Sequence, residues 1–157
     1  MPVEENKALI RRLLDCANRR DADAQAALYG SDAANHGRAV GREGMRRVFG
    51  GLYALFPDWH FAVEEMIAEG DAVVCIMTMT GTHRGTSDVP VLGGGLVGVA
   101  PTGKRVEVMN IHRYRIEDGT IIDHRATRDD LGMMQQLGLL PKPGQDISRP
   151  SQTRPDR

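Results

Sequence analysis

The sequence predicts an α+β domain, with helices gathered at the N-terminal side and packed on a strongly bent antiparallel sheet, so that a pocket lies between the layers. Three observations predict it. Apolar residues recur at helical spacing up to Pro57, they alternate from Trp59 onward, and Glu117-Asp118-Gly119 joins two strand-like runs as a hairpin turn. At 157 residues and 41% apolar content the chain can bury a real core, and a net charge of -1 gives no reason to expect nucleic acid or an anionic membrane as partner. No apolar run approaches the ~20 residues needed to cross a bilayer, and MPVEENKALIRR lacks the regions of an export signal, so the expected location is the cytoplasm.

In residues 3–18, Leu9, Ile10, Leu13, Leu14 and Ala17 form one face of a helix. Asp21 caps a second, short helix reaching about Tyr29, and residues 30–41 read as a loop. Met45, Val48, Phe49, Leu52, Tyr53 and Phe56 mark a third helix, which Pro57 stops. Trp59, Phe61 and Val63 then alternate with polar neighbours up to a Gly70-Asp71 turn, and 72–82 follows as a long strand. Residues 84–104 form a Gly- and Pro-rich excursion of a length that is usually functional or mobile. Residues 105–115 and 121–129 form the last hairpin, and 130–138 form a short helix with Leu131, Met134 and Leu137 inward. Residues 1–139 thus make one domain, and 140–157 read as a Pro-rich, disordered tail. Cys16 and Cys75, without CxxC spacing, read as reduced core residues.

The hairpin gives a register. With Glu117 opposite Thr120, His112 faces Arg125, Asn110 faces Thr127 and Val108 faces Asp129. Asn110, His112, Tyr114, Arg125, Thr127 and Asp129 then share one face, either solvated or lining a polar-floored cavity, and His124 falls on the other. His60 and His124 are therefore expected at the surface, Trp59 as a wall of cavity or core, and Asn35, His36 and His83 at a pocket rim or on solvated loops. Five scattered histidines without HxH or HxxxH spacing argue against a metal site, and no P-loop, GxSxG or GxGxxG motif occurs.

Three segments resemble the SnoaL-like polyketide cyclase family, within the superfamily of nuclear transport factor 2 and ketosteroid isomerase. They are GREGMRRVFGGLYALFPDWHF (41–61), EGDAVVCIMTMTGTHRG (69–85) and APTGKRVEVMNIHRYRIEDGTIIDHRATRDDLGMMQQLG (100–138). The resemblance implies a cone-shaped α+β barrel with a deep pocket, no metal, no organic cofactor, and a homodimer or higher homo-oligomer. It also implies aldol ring closure on polyketide methyl esters, with an Asp at the end of the last strand as acid/base and a His on the neighbouring strand assisting. Asp129 and His112 match those two positions. The sequence departs from the pattern at Arg125, where the family often has Trp, and in a longer loop before PTGKR.

These residues predict a catalytic pair, Asp129 and His112, acting on a small hydrophobic carbonyl-containing ligand. Asn110, Arg125, Trp59, His36, Asn35, Tyr53, Tyr114 and Thr127 are the expected binding residues. A base at Asp129 requires that Asp130, nearer the helix start, be the helix cap. A flat ladder sets His112 and Asp129 about 13 Å apart, so they would flank one substrate rather than touch. Two other functions fit the same residues. One is epoxide hydrolysis by an Asp123–Arg125–Asp129 set, and the other is a non-catalytic ligand-binding or dimerising module.

Overall fold

The computed structural model describes residues 2–145. Its elements are α1 (Pro2–Asn18), α2 (Ala22–Ala26), β1 (Tyr29–Asn35), β2 (Arg38–Ala39), α3 (Gly41–Leu55), β3 (His60–Glu69), β4 (Ala72–Thr82), β5 (Arg105–Glu117), β6 (Thr120–Arg128) and α4 (Asp130–Gln136), with a 3-10 turn at Leu92–Gly94. The six strands form one curved sheet in the order β2-β1-β6-β5-β4-β3. Both edge strands keep a free side, so the sheet is open and does not close into a barrel. Among the described residues no helix is long and apolar enough to cross a membrane.

The helical faces read from spacing are the buried ones. Leu9, Ile10, Leu13, Leu14 and Ala17 of α1 are all inside, and Asp21 caps α2 through Ala24 N–H at 2.9 Å. Asn18 fastens the end of α1 to β3, accepting from Phe61 N–H at 2.7 Å and donating to Phe61 C=O at 3.0 Å. On β5 the alternation is regular. Val106, Val108, Asn110, His112, Tyr114 and Ile116 point inward, while Arg105, Glu107 and Met109 point out. With Val73, Cys75, Met77 and Met79 of β4 they form the concave floor beneath α1 and α3. Cys16 and Cys75 are both buried thiols, and burial pushes the Cys75 thiol up to about 11.

Four expectations are corrected. First, residues 30–41 are not a loop: they hold β1 and β2, and β1 pairs parallel with β6, so the sheet is mixed. Second, Val63 is 45% exposed, on the edge strand β3 beside a bulge between Val63 and Glu65. Third, α4 buries Met133 and Leu137 and leaves Leu131 61% exposed. Fourth, the hairpin register slips. Glu117 does face Thr120 and Ile116 faces Ile121, but Arg115 faces Asp123, so Ile122 is an extra residue. One inserted residue reverses the facing of everything beyond it. Residues 146–157 of the expected tail lie outside the described residues.

Candidate functional site

A cavity of about 710 Å³ opens between the concave sheet and the helices. Met45, Phe49 and Leu52 of α3, Phe61 of β3 and Leu14 of α1 give it apolar walls. The 84–104 excursion roofs it through Pro90, Val91 and Leu92. Local contacts hold that roof down. Arg84 and Gly85 N–H both donate to Leu55 C=O at the end of α3, at 3.0 and 3.2 Å. His83 N–H donates to Lys104 C=O at 2.9 Å, and Thr102 N–H donates to His83 Nδ1 at 3.2 Å. His83 is therefore a buried clasp for the ends of the segment, not a rim residue.

The polar part of the cavity is a hydrogen-bonded row across β1, β6 and β5. His124 Nδ1 meets Asn35 Oδ1 at 2.9 Å, and His124 Nε2 meets His112 Nδ1 at 3.1 Å. Tyr114 Oη also lies 3.1 Å from His112 Nδ1, and Tyr114 stacks on His124 with ring centres 5.0 Å apart. His112 Nε2 lies 3.5 Å from Asn110 Oδ1, and Asn110 Nδ2 donates to Val108 C=O at 2.8 Å.

The proton positions follow from the partners. Asn35 Oδ1 can only accept, so His124 carries its proton on Nδ1 and presents a lone pair at Nε2. Two assignments compete for His112. A proton on Nε2 donated to Asn110 Oδ1, with Tyr114 Oη donating to Nδ1, would set two lone pairs face to face between the histidines at 3.1 Å. A proton on Nδ1 satisfies His124 Nε2 and leaves His112 Nε2 unprotonated 3.5 Å from Asn110 Oδ1, and the shorter contact favours this second assignment. The Asn110 amide cannot serve as donor there, because its Nδ2 is committed to Val108. A proton arriving at His112 Nε2 thus gains an acceptor already in place. Burial holds both rings neutral. It pushes His112 down to about 3 and His124 well below its ordinary value, with the positive charge of Arg128 adding to the effect on each.

The structure brings together His112, Asn110, Tyr114, Asn35, His36, Tyr53 and Trp59 around this cavity. The Tyr53 hydroxyl donates a hydrogen bond to Gln25 Oε1, and burial raises its pKa. His36 is at the mouth, edge-on to His124 at 5.7 Å, with its pKa lowered first by burial and then by Arg128 and Arg125.

Arg125, Thr127 and Asp129 are not in the cavity. The slip at Ile122 turns Arg125 and Thr127 to the exposed face, with Arg125 Nε 3.7 Å from Asp123 Oδ2. Asp123 is also on that face, paired with Arg113. The Asp–Arg–Asp set for epoxide hydrolysis is therefore not assembled at the cavity. Asp129 is exposed and is the N-cap of α4, accepting from Gly132 N–H at 2.9 Å, while Asp130 pairs with Arg128. That is the reverse of the expected division of labour between the two acids. In their place the same slip turns His124, Ala126 and Arg128 inward. The signal for it was the doublet Ile121-Ile122, two adjacent apolar residues where a one-faced strand calls for one. Among the described residues, no carboxylate lines the cavity.

Comparison with known proteins agrees with this architecture. A family model described as SnoaL-like polyketide cyclase matches residues 7–137. Nogalonic acid methyl ester cyclase of Streptomyces nogalater is 33% identical over 104 residues, 66% of this chain and 71% of that one. Aklanonic acid methyl ester cyclase DnrD of Streptomyces peucetius is 36% identical over 86 residues, 55% of this chain and 53% of that one. Among solved structures, TsrD of Streptomyces laurentii superposes with a TM-score of 0.74 at 27% identity, covering 87% of this chain and 97% of that chain. IdmH of Streptomyces antibioticus does so at 0.68 and 28%, covering 85% and 98%. The chain belongs to the SnoaL-like polyketide cyclase family.

Proposed function

We propose that the protein closes a ring on a polyketide-like β-keto ester by cofactor-independent aldol chemistry, with His112 as the proton carrier. The observation that carries this reading is the His112–Asn110 arrangement: an imidazole nitrogen, Nε2, in a largely apolar chamber, 3.5 Å from an amide oxygen held in place by the Asn110 bond to Val108. A C–H between two carbonyls gives its proton to His112 Nε2. The electron pair becomes an enolate, whose carbon attacks a ketone elsewhere in the same molecule. The new C–C bond leaves an alkoxide, which takes the proton back from His112. Atoms and electrons balance, and nothing is consumed.

Burial pushes the His112 pKa down to about 3, which makes the imidazole a weak base on its own. An enolate forming in contact with it raises that value, because an opposite charge in a dry site favours the protonated ring. Basicity thus grows along the reaction coordinate, where it lowers the barrier. His124 and Asn35 hold the tautomer that leaves Nε2 free. The names of the curated relatives support polyketide methyl esters as the substrate class, and the apolar walls suit a flat, fused-ring precursor.

The test is turnover of an aromatic β-keto methyl ester, followed by ring closure and by exchange of the activated proton with deuterated water. His112→Gln is expected to lower kcat by about 10²–10⁴-fold with little change in KM, and to suppress exchange equally. Undiminished exchange in that variant would exclude His112 as the carrier.

A further inference from the structure

We propose that the mouth of the chamber is an oxyanion site formed by Arg128 and Arg38, and that the natural ligand carries a carboxylate or phenolate on its outermost ring. The inference deepens the cyclase reading by naming a charge its substrate must bear, but binding and turnover are tested separately.

Arg128 reaches the mouth because the extra residue at Ile122 turns its side chain inward. That side chain is only 13% exposed. Its hydrogen bond runs from Nε to Asp130 Oδ1 at 3.0 Å, and its two Nη groups have no hydrogen-bond partner among the described residues. Arg38, from β2, is exposed, lines the same cavity and has neither an ion pair nor a side-chain hydrogen bond among the described residues. The Arg128 Nη groups and Arg38 are left to water, a weaker partner for a half-buried guanidinium than an anion. With no carboxylate in the lining, an oxyanion carried by the ligand is the partner that would replace that water. Two guanidinium groups at one opening suit a planar oxyanion, which accepts from a pair of N–H groups at once. The apolar walls beyond them require the rest of the ligand to be a flat, uncharged ring system.

Calorimetric titration with three ring compounds tests this: naphthoate (a carboxylate), methyl naphthoate (neutral) and dinitronaphtholate (a phenolate at neutral pH). Naphthoate is expected to bind about tenfold more tightly than its ester. In Arg128→Gln the ester should bind as before, and naphthoate should lose most of its advantage. Tighter binding of the phenolate than of naphthoate assigns the group to a phenol, and weaker binding assigns it to a carboxylate. Equal affinities for naphthoate and its ester in the unaltered protein, or equal weakening of both by Arg128→Gln, would overturn the proposal, as would failure of all three to bind. If Arg128→Gln does not fold, two other results decide. Arg38→Gln should weaken naphthoate alone, and added salt should weaken naphthoate but not the ester; absence of both differences overturns the site. None of these outcomes touches the cyclase reading, which stands on turnover by the His112→Gln variant.

Discussion

At the scale of single residues, side chains that hold the fold are distinct from those placed to act. Asp129 belongs to the first group. Its carboxylate caps α4 from an exposed position. Asp129→Asn should keep both the cap and the turnover rate, and Asp129→Ala should lower stability by about 1 kcal/mol without changing kcat, as read by urea unfolding and steady-state rates. Asn110 belongs to the second. Asn110→Leu removes the acceptor awaiting a proton on His112 and should reduce kcat by about tenfold or more while leaving KM nearly unchanged. The sequence made some of these distinctions visible and hid others. His112, Asn110 and Tyr114 were legible because β5 alternates without interruption over its whole length. His124 and Arg128 were not, because a bulge is a backbone event with no residue type of its own, and here it is marked only by a doubled isoleucine. The exchange of roles between Asp129 and Asp130 has the same origin. Either acid can cap, and the choice turns on where the chain leaves the sheet by one residue.

At the scale of elements, the roof is the least conventional part. It has little regular structure, and glycines set it against α3. A Cβ on Gly85 would come 1.8 Å from Ala54 O, a backbone atom that cannot step aside. Gly85→Ala should therefore detach the roof, costing more than about 2 kcal/mol in thermal unfolding and accelerating hydrogen exchange through residues 84–104. Gly51, on α3, is approached less tightly from the other side: a Cβ there would sit 2.9 Å from Ser87 Oγ and 3.1 Å from the Val89 and Val91 side chains. The length and the Gly and Pro content of 84–104 marked it in the sequence as an excursion that is usually functional or mobile. Nothing in it named α3 as the neighbour. β1 and β2 were hidden for a different reason. YGSDAAN has almost no strand-forming residues, and it is extended because β6 offers it an edge. The position of Asn35, and with it the tautomer of His124, therefore depends on tertiary pairing rather than on local preference.

At the scale of the whole molecule, neutral histidines inside the chamber couple folding to pH. The folded-state pKa of His112 is pushed down from 6.5 to about 3 by burial, and His124 moves the same way. The unfolded chain therefore takes up protons first as the pH falls. Stability from this source is complete above about pH 6.5 and declines toward about pH 3, by about 1.4 kcal/mol per pH unit for each such histidine. The urea midpoint should drop measurably between pH 7 and pH 5, and His112→Gln should flatten the dependence; an unchanged midpoint would mean that the rings are already charged or solvated in the folded protein.

The architecture sets an acid outside and a pair of histidines inside, and the most direct trial of that assignment is one experiment on two variants. Turnover of the same β-keto ester is measured for Asp129→Asn and His112→Gln under identical conditions. The rate should stay close to that of the unaltered protein for the first and fall by at least about 10²-fold for the second. A large loss in Asp129→Asn, with His112→Gln still active, would contradict that assignment.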